Sequence, residues 1–254
     1  MKKMSKQFLF YELRNLVGNW YIPFFGVAFP IFFSMIIGRA VLSEVPKAQV
    51  SMVASSIMLS FLNLLPLAVV FLGHCSLYSQ ELEKRIPLRM QLFGYSPITQ
   101  VKARMLALMV FFTVGLGVDM LVMSFTLKPL MPNIRGFFIV VLFYYLMGAI
   151  LFMLAHGIAN FFRRFGPAYG VSMTLYFGFM ALGGMMGIRV EQLPEVVKPL
   201  SRLLPFSYAA EDFVKIWQGK PYNYAPFLQS MLFLCALSAI VMLLSFRYRK
   251  TKAY

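Results

Sequence analysis

Charged residues are scarce in this chain, and acids are scarcer still. Of 254 residues 13% are charged, and nine Asp and Glu stand against 24 Lys and Arg. A soluble domain carries roughly 25% charged residues, so this fraction, beside 60% hydrophobic residues, excludes an ordinary soluble fold and points to the membrane class. Cysteine is rare too: Cys75 and Cys235 lie singly inside apolar runs without a CxxC partner, which excludes a disulfide framework and reads as packing. There are two histidines, His74 and His156, and no H-E-x-x-H; no serine sits in G-x-S-x-G. A metal or catalytic histidine pair would need a third partner, and His156 with Asn160 one turn later reads first as a hydrogen-bonding pair. No G-x-x-x-x-G-K-[ST] phosphate loop is present; the one Gly-Lys pair, Gly219-Lys220, runs straight into Pro221. Internal repeats and low-complexity tracts are also missing. The net charge of +15 comes in short basic runs between apolar segments, with no long stripe interleaved with aromatics. That pattern suits topology signals facing anionic lipid, not nucleic acid.

What the chain has in abundance is long apolar runs. A helix needs about 20 apolar residues to cross the hydrocarbon core. Six runs qualify, at 21–42, 50–78, 105–127, 136–162, 167–188 and 224–246. The first follows a basic head but is too long for a signal peptide's core and lacks an A-x-A site, so it is read as an uncleaved span. Four basic residues precede it: Lys2, Lys3, Lys6 and Arg14. Five lie between spans two and three (Lys84, Arg85, Arg89, Lys102, Arg104), two between four and five (Arg163, Arg164) and four in the tail (Arg247, Arg249, Lys250, Lys252). The remaining nine are spread more thinly, five of them in the long fifth loop. Cationic loops stay cytoplasmic, so both termini are expected inside. The expected class is an all-α membrane protein in one domain, 1–254, of six transmembrane helices. It sits in the cell membrane, a bacterial inner or plasma membrane.

Three segments do not span. In residues 1–20, Leu9, Leu13, Leu16, Val17 and Trp20 fall at helical spacing while Lys6, Arg14 and Asn15 lie off that face. This predicts an N-terminal interfacial helix, with an ordinary basic flank as the plainer reading. In loop 79–104, Glu81, Glu83, Lys84, Arg85 and Arg89 crowd below span two. Pro87 starts a short helix there, and Gly94 with Pro97 ends it. That helix carries Leu88, Met90, Leu92 and Phe93 on a basic background, which suits docking to a soluble partner; the alternative is a solvated loop whose apolar residues touch the membrane. In the outer loop, 189–223, Pro194 starts one short segment that Pro199 breaks, and Ser207 caps a second helix after Pro205. Ala209, Phe213, Ile216 and Trp217 share a face of the second, Glu211 pairs with Lys215 at i,i+4, and Gly219 and Pro221 terminate it. The aromatic faces are expected to turn into the outer leaflet.

With those parts in order the chain resembles the type-2 ABC transporter permeases. The most specific stretch is LPEVVKPLSRLLPFSYAAEDFVKIWQGK, residues 193–220. A second is Glu83 followed by Gly94, Ser96 and Pro97, then Gln100 and Lys102. One departure is Ile86-Pro87, where the family often has glycine-threonine. The resemblance implies the transmembrane subunit of an ATP-driven exporter for drugs, peptides, lipids or glycans. A second permease copy, identical or related, encloses the path, and a cytoplasmic ABC ATPase subunit carries ATP-Mg; this chain binds no cofactor. On that resemblance the 79–104 segment is a cytoplasmic coupling helix whose Leu88, Met90, Leu92 and Phe93 enter the ATPase groove. Arg85 and Arg89 meet acids on its rim, with Glu81 and Glu83 beside them. The short outer helices then cap the exit, with Tyr208, Phe213 and Trp217 at the headgroup level, or serve as a plain structural lid.

Asp119 stands apart as the acid well inside a span. Intramembrane acids are costly and often functional. It suits a cation- or proton-coupled secondary carrier, a hydrogen bond within the bundle, or a helix–helix contact near Gly115 and Gly117. Pro30, Pro66 and the glycines at 183–187 could break spans as carriers do, yet neither half of the chain resembles the other. Arg39, near the outer end of span one, can snorkel. A non-transporting scaffold is the remaining alternative.

Overall fold

Inside hydrocarbon every backbone N–H and C=O must be satisfied within its own segment, which a helix achieves and an open sheet cannot. The computed structural model describes residues 4–185 and 190–251; its regular structure is helical, and no strand occurs among those residues. In chain order the helices are α1 (Lys6–Gly18), α2 (Tyr21–Leu42), α3 (Lys47–Glu83), α4 (Ile86–Leu92), α5 (Pro97–Leu127), α6 (Ile134–Phe162), α7 (Phe165–Leu182), α8 (Lys198–Arg202), α9 (Pro205–Trp217) and α10 (Ala225–Thr251). Five of them, α2, α3, α5, α6 and α10, are long and apolar enough to cross a membrane. The fifth expected span is α7, 18 residues or about 27 Å long at 1.5 Å per residue. It ends at Leu182, and the expected end at 186–188 lies outside the described residues.

The central helix is α3. Leu64, Leu65, Leu67, Val69 and Phe71 on it are fully buried, although they point to every side. It is enclosed by α2 and α5 on one flank and α6 and α7 on the other, while α10 packs along α6. Pro23 and Pro30 lie inside α2 and Pro66 inside α3 without ending them. The backbone beside them is underwound into π turns, Phe24–Ala28 between Pro23 and Pro30 in α2 and Pro66–Gly73 in α3. Neither segment is the discontinuous helix that a carrier reading expects. Small residues let helices touch: a Cβ on Gly157 would lie 2.9 Å from the Met242 backbone, which is how closely α6 and α10 approach.

Short helices stand where the prolines and glycines predict. Pro87 lies in the first turn of α4, and Gly94 closes it at φ +91°. Pro199 falls at the start of α8 and so opens that helix where a break was expected. Gly219 ends α9 at φ +71°, a left-handed conformation that glycine adopts without strain. Ser207 does not cap α9: the helix begins at Pro205, and the Ser207 hydroxyl instead donates to the Ser201 and Leu204 carbonyls at 2.9 and 2.8 Å. Lys215 reaches Asp212 at 2.8 Å, one residue short of the expected Glu211, whose side chain lies outside the described set.

Candidate functional site

At one end of the bundle α1, α4 and the ends of α3, α5 and α7 meet, tied by polar contacts that begin with an acid on an apolar stripe. Along α1 the buried positions are Phe8, Glu12 and Leu16, four residues apart. Phe8 stacks on Tyr95 at 4.6 Å, in the turn between α4 and α5. Glu12 accepts from Arg104 of α5, Nε at 3.1 Å to Oε2 and Nη2 at 3.3 Å to Oε1. The same guanidinium reaches Glu81 of α3 at 2.5 Å, and the other Glu81 oxygen accepts from Asn15 Nδ2 at 2.9 Å. All three charged side chains are buried. Arg104 thus bridges two carboxylates from two different helices and lies 5.4 Å from the ring centre of Tyr78. Burial raises the Glu12 carboxyl above its ordinary range; Arg104 offsets part of that rise, and the nearby Glu81 charge adds to it. The Tyr11 phenol is raised by partial burial and by the Glu81 and Glu12 charges.

α4 hangs below this cluster. Arg85, at φ +55°, makes the tight corner between α3 and α4. Gln100 Nε2 donates to the Pro87 and Tyr95 carbonyls at 3.2 and 3.1 Å and so fastens both ends of α4 to α5. The helix presents apolar residues outward: Leu92 is 83% exposed, Phe93 67% and Leu88 54%. Arg85 and Arg89 are exposed beside them, while Met90 is half-buried.

The sequence-predicted residues therefore divide. Leu88, Leu92, Phe93, Arg85 and Arg89 form one exposed surface, with Met90 at its edge. Glu81 belongs to the buried cluster with Arg104 and Glu12. Glu83 is exposed but engaged, its Oε2 accepting from the Phe165 N–H at 2.8 Å, the first residue of α7. There a carboxylate satisfies an orphan helix donor and meets the positive end of the helix dipole. The expected interfacial face of α1 is also revised. Leu9 and Leu13 are half-buried and Leu16 is buried against the bundle, whereas Phe10, Val17 and Trp20 are exposed. Sequence reasoning missed Glu12 and Arg104. The available signal was an acid at i+4 from Phe8 and i−4 from Leu16, in a chain with nine acids.

At the opposite end, the aromatic face of α9 turns inward, contrary to the outer-leaflet expectation. Phe213 packs on Tyr144 and Phe227 at 5.5 Å each. The buried Trp217 donates from Nε1 to the Leu130 carbonyl at 2.9 Å, and its own carbonyl accepts from the Asn133 N–H at 2.8 Å. Tyr208 remains half-buried at the edge. Between the two ends, Asp119 is fully buried on α5, and neither carboxylate oxygen has a hydrogen-bond partner among the described residues. His74 and His156 meet, Nε2 to Nδ1 at 3.3 Å, but no group of three or more His, Cys, Asp or Glu is placed to hold a metal among the described residues.

A family model described as ABC-2 family transporter protein matches residues 41–247. No curated protein and no solved structure matches the chain.

Proposed function

Because the chain belongs to the ABC-2 transporter family, whose members are membrane subunits of ABC transporters, we propose that it is the permease of an ATP-driven exporter of amphiphilic or hydrophobic cargo. A separate ATPase seats on α4 and supplies the work. Six spans, α2, α3, α5, α6, α7 and α10, cross the cell membrane with both termini inside. A second permease copy completes the path.

The observation that carries this reading is the exposed apolar surface of α4, Leu88, Leu92 and Phe93 flanked by Arg85 and Arg89. Three exposed apolar side chains, two on the seven-residue α4 and Phe93 just after it, gain nothing in water, and the arginines give them an electrostatic rim for an acidic groove. α4 is not an isolated loop. Through Gln100 it is fixed to α5, and through Arg104 α5 is joined to α1 and α3. A displacement of α4 by an ATPase would then move three helices as one body, the kind of rigid-body shift by which a two-state transporter changes access. The test is co-purification of the tagged protein in mild detergent from its native host. A stoichiometric ATPase bearing a phosphate loop is expected with the wild type and lost from the Leu92→Asp/Phe93→Asp variant. Undiminished ATPase in that variant overturns the docking role of α4, and no ATPase with the wild type overturns the pump.

A second reading rests on Asp119. A buried carboxyl without a hydrogen-bond partner among the described residues suits a proton- or ion-coupled carrier. Asp119→Asn separates the two: an ATP-driven pump retains transport, whereas a carrier loses it.

A further inference from the structure

A cleft of about 1390 Å³ opens between α4, the start of α5, α6 and α10, larger than the roughly 300–1,000 Å³ that holds a drug-sized ligand. Its character changes along its length. On α6 the lining residues Leu146, Ile150, Met153, His156, Asn160 and Arg163 follow helical spacing on one face. They pass from aliphatic to polar to cationic as the helix nears the α4 end. Leu228, Met231, Leu232 and Cys235 of α10 continue the apolar part. From Leu146 to His156 is ten helical steps, about 15 Å, half the roughly 30 Å hydrocarbon core and therefore one leaflet. The apolar part is open sideways, since Leu146, Leu228 and Leu232 are exposed. The polar end carries Arg85, Lys102 and Arg163, all exposed, and the described lining contains no Asp or Glu. Arg104 also lines it, but its charge is met by Glu12 and Glu81.

We propose that this cleft binds one anionic glycerophospholipid from the leaflet bordering α4, its phosphate among Arg85, Lys102 and Arg163 and its acyl chains along α6 and α10. The occupant follows from the complementarity. A three-cation mouth lacking an acid asks for an anion, and a leaflet-deep apolar slot open to the bilayer asks for acyl chains. A second copy of this chain is the poorer complement, because with 24 basic residues against nine acids it brings the same sign of charge to the mouth. The site depends on membrane insertion alone and stands whether or not an ATPase docks on α4.

The test uses the full-length protein in nanodiscs of phosphatidylcholine and phosphatidylglycerol in equal amounts. Lipid retained after transfer to detergent is counted by native mass spectrometry. Phosphatidylglycerol is expected in preference, about one per chain. Lys102→Gln/Arg163→Gln should reduce that preference about fivefold for each charge removed, with the melting temperature unchanged. Ala149→Phe, which fills the apolar wall, should reduce retention of both lipids. Equal retention of the two lipids by the wild type overturns the proposal, as does an unchanged preference in the double variant. Two further results overturn it: displacement of the lipid by millimolar inorganic phosphate with full retention in Ala149→Phe, which marks a bare anion site, and a cleft residue that crosslinks to its copy in a second chain.

Discussion

Arg104 holds two carboxylates at once, and the imbalance has consequences. Ion pairs taken out of water are costly to form, yet more costly to break, because removing one partner strands the others. Arg104→Ala leaves Glu12 and Glu81 buried without a cation between them, so a loss of about 3–5 kcal/mol in stability is expected, read as a fall in melting temperature in detergent. Glu12→Gln is milder, since Arg104 keeps Glu81 one to one at 2.5 Å. A wild-type-like melt for Arg104→Ala would show the cluster to be stabilising nothing. The pH dependence has a definite sign. Burial raises the folded-state Glu12 carboxyl above its unfolded value near 4.5, so the folded protein holds that proton more tightly than the unfolded chain. Stability therefore falls as pH rises from about 4.5 through the raised folded value, and the penalty is complete above it. Melting temperatures across pH 4.5 to 7.5 should show this decline in the wild type, and Glu12→Gln should remove its share of the slope.

Pro66 has no N–H for the helical ladder, and its ring crowds the preceding turn. α3 answers with a one-residue turn at Asn63. The Asn63 N–H bonds three residues back to Ser60, so the Leu59 carbonyl loses its usual i+4 partner. Two side chains replace it: Asn63 Nδ2 at 3.0 Å and the Tyr144 hydroxyl of α6 at 2.8 Å. One proline thereby fixes a hydrogen bond between two spans. Tyr144→Phe is expected to cost about 1 kcal/mol while Asn63 still serves the carbonyl. The double variant with Asn63→Ala orphans a buried acceptor and should cost about 2–4 kcal/mol; strict additivity with a loss under 1 kcal/mol would contradict this account. These partnerships were not legible in the sequence, whereas the element ends were. Pro87 and Gly94 marked α4 and Gly219 marked the end of α9, because special backbone conformations need special residues. The face of α9 was also legible, as Phe213, Ile216 and Trp217 at helical spacing. Which medium it met was not, since lipid tails and a protein interior are equally apolar. Glu12 was overlooked for the converse reason: counting apolar positions passes over an acid that is buried because Arg104 pairs with it.

Topology joins these parts into one testable arrangement. Positive charge clusters at the α1, α4 and C-terminal end of the bundle, where Arg104, Glu12 and Glu81 also lie, and cationic loops resist translocation. The α4 surface and the mouth of the cleft should then face the cytoplasm, and the turn after α9 should face outside. Single cysteines separate these sides once the native thiols are removed. Cys75 is buried and Cys235 half-buried, so Cys75→Ala and Cys235→Ala supply a quiet background. In that background Leu92→Cys should react with a membrane-impermeant maleimide only after the cells are permeabilised. Lys220→Cys, on an exposed residue just beyond Gly219, should react in intact cells. The reverse pattern would invert the molecule and put α4 where no cytoplasmic ATPase reaches it. Labelling of both in intact cells would place an odd number of crossings between α4 and the turn after α9 in doubt, and with it the assignment of α7, 18 residues long, as the fifth of six spans.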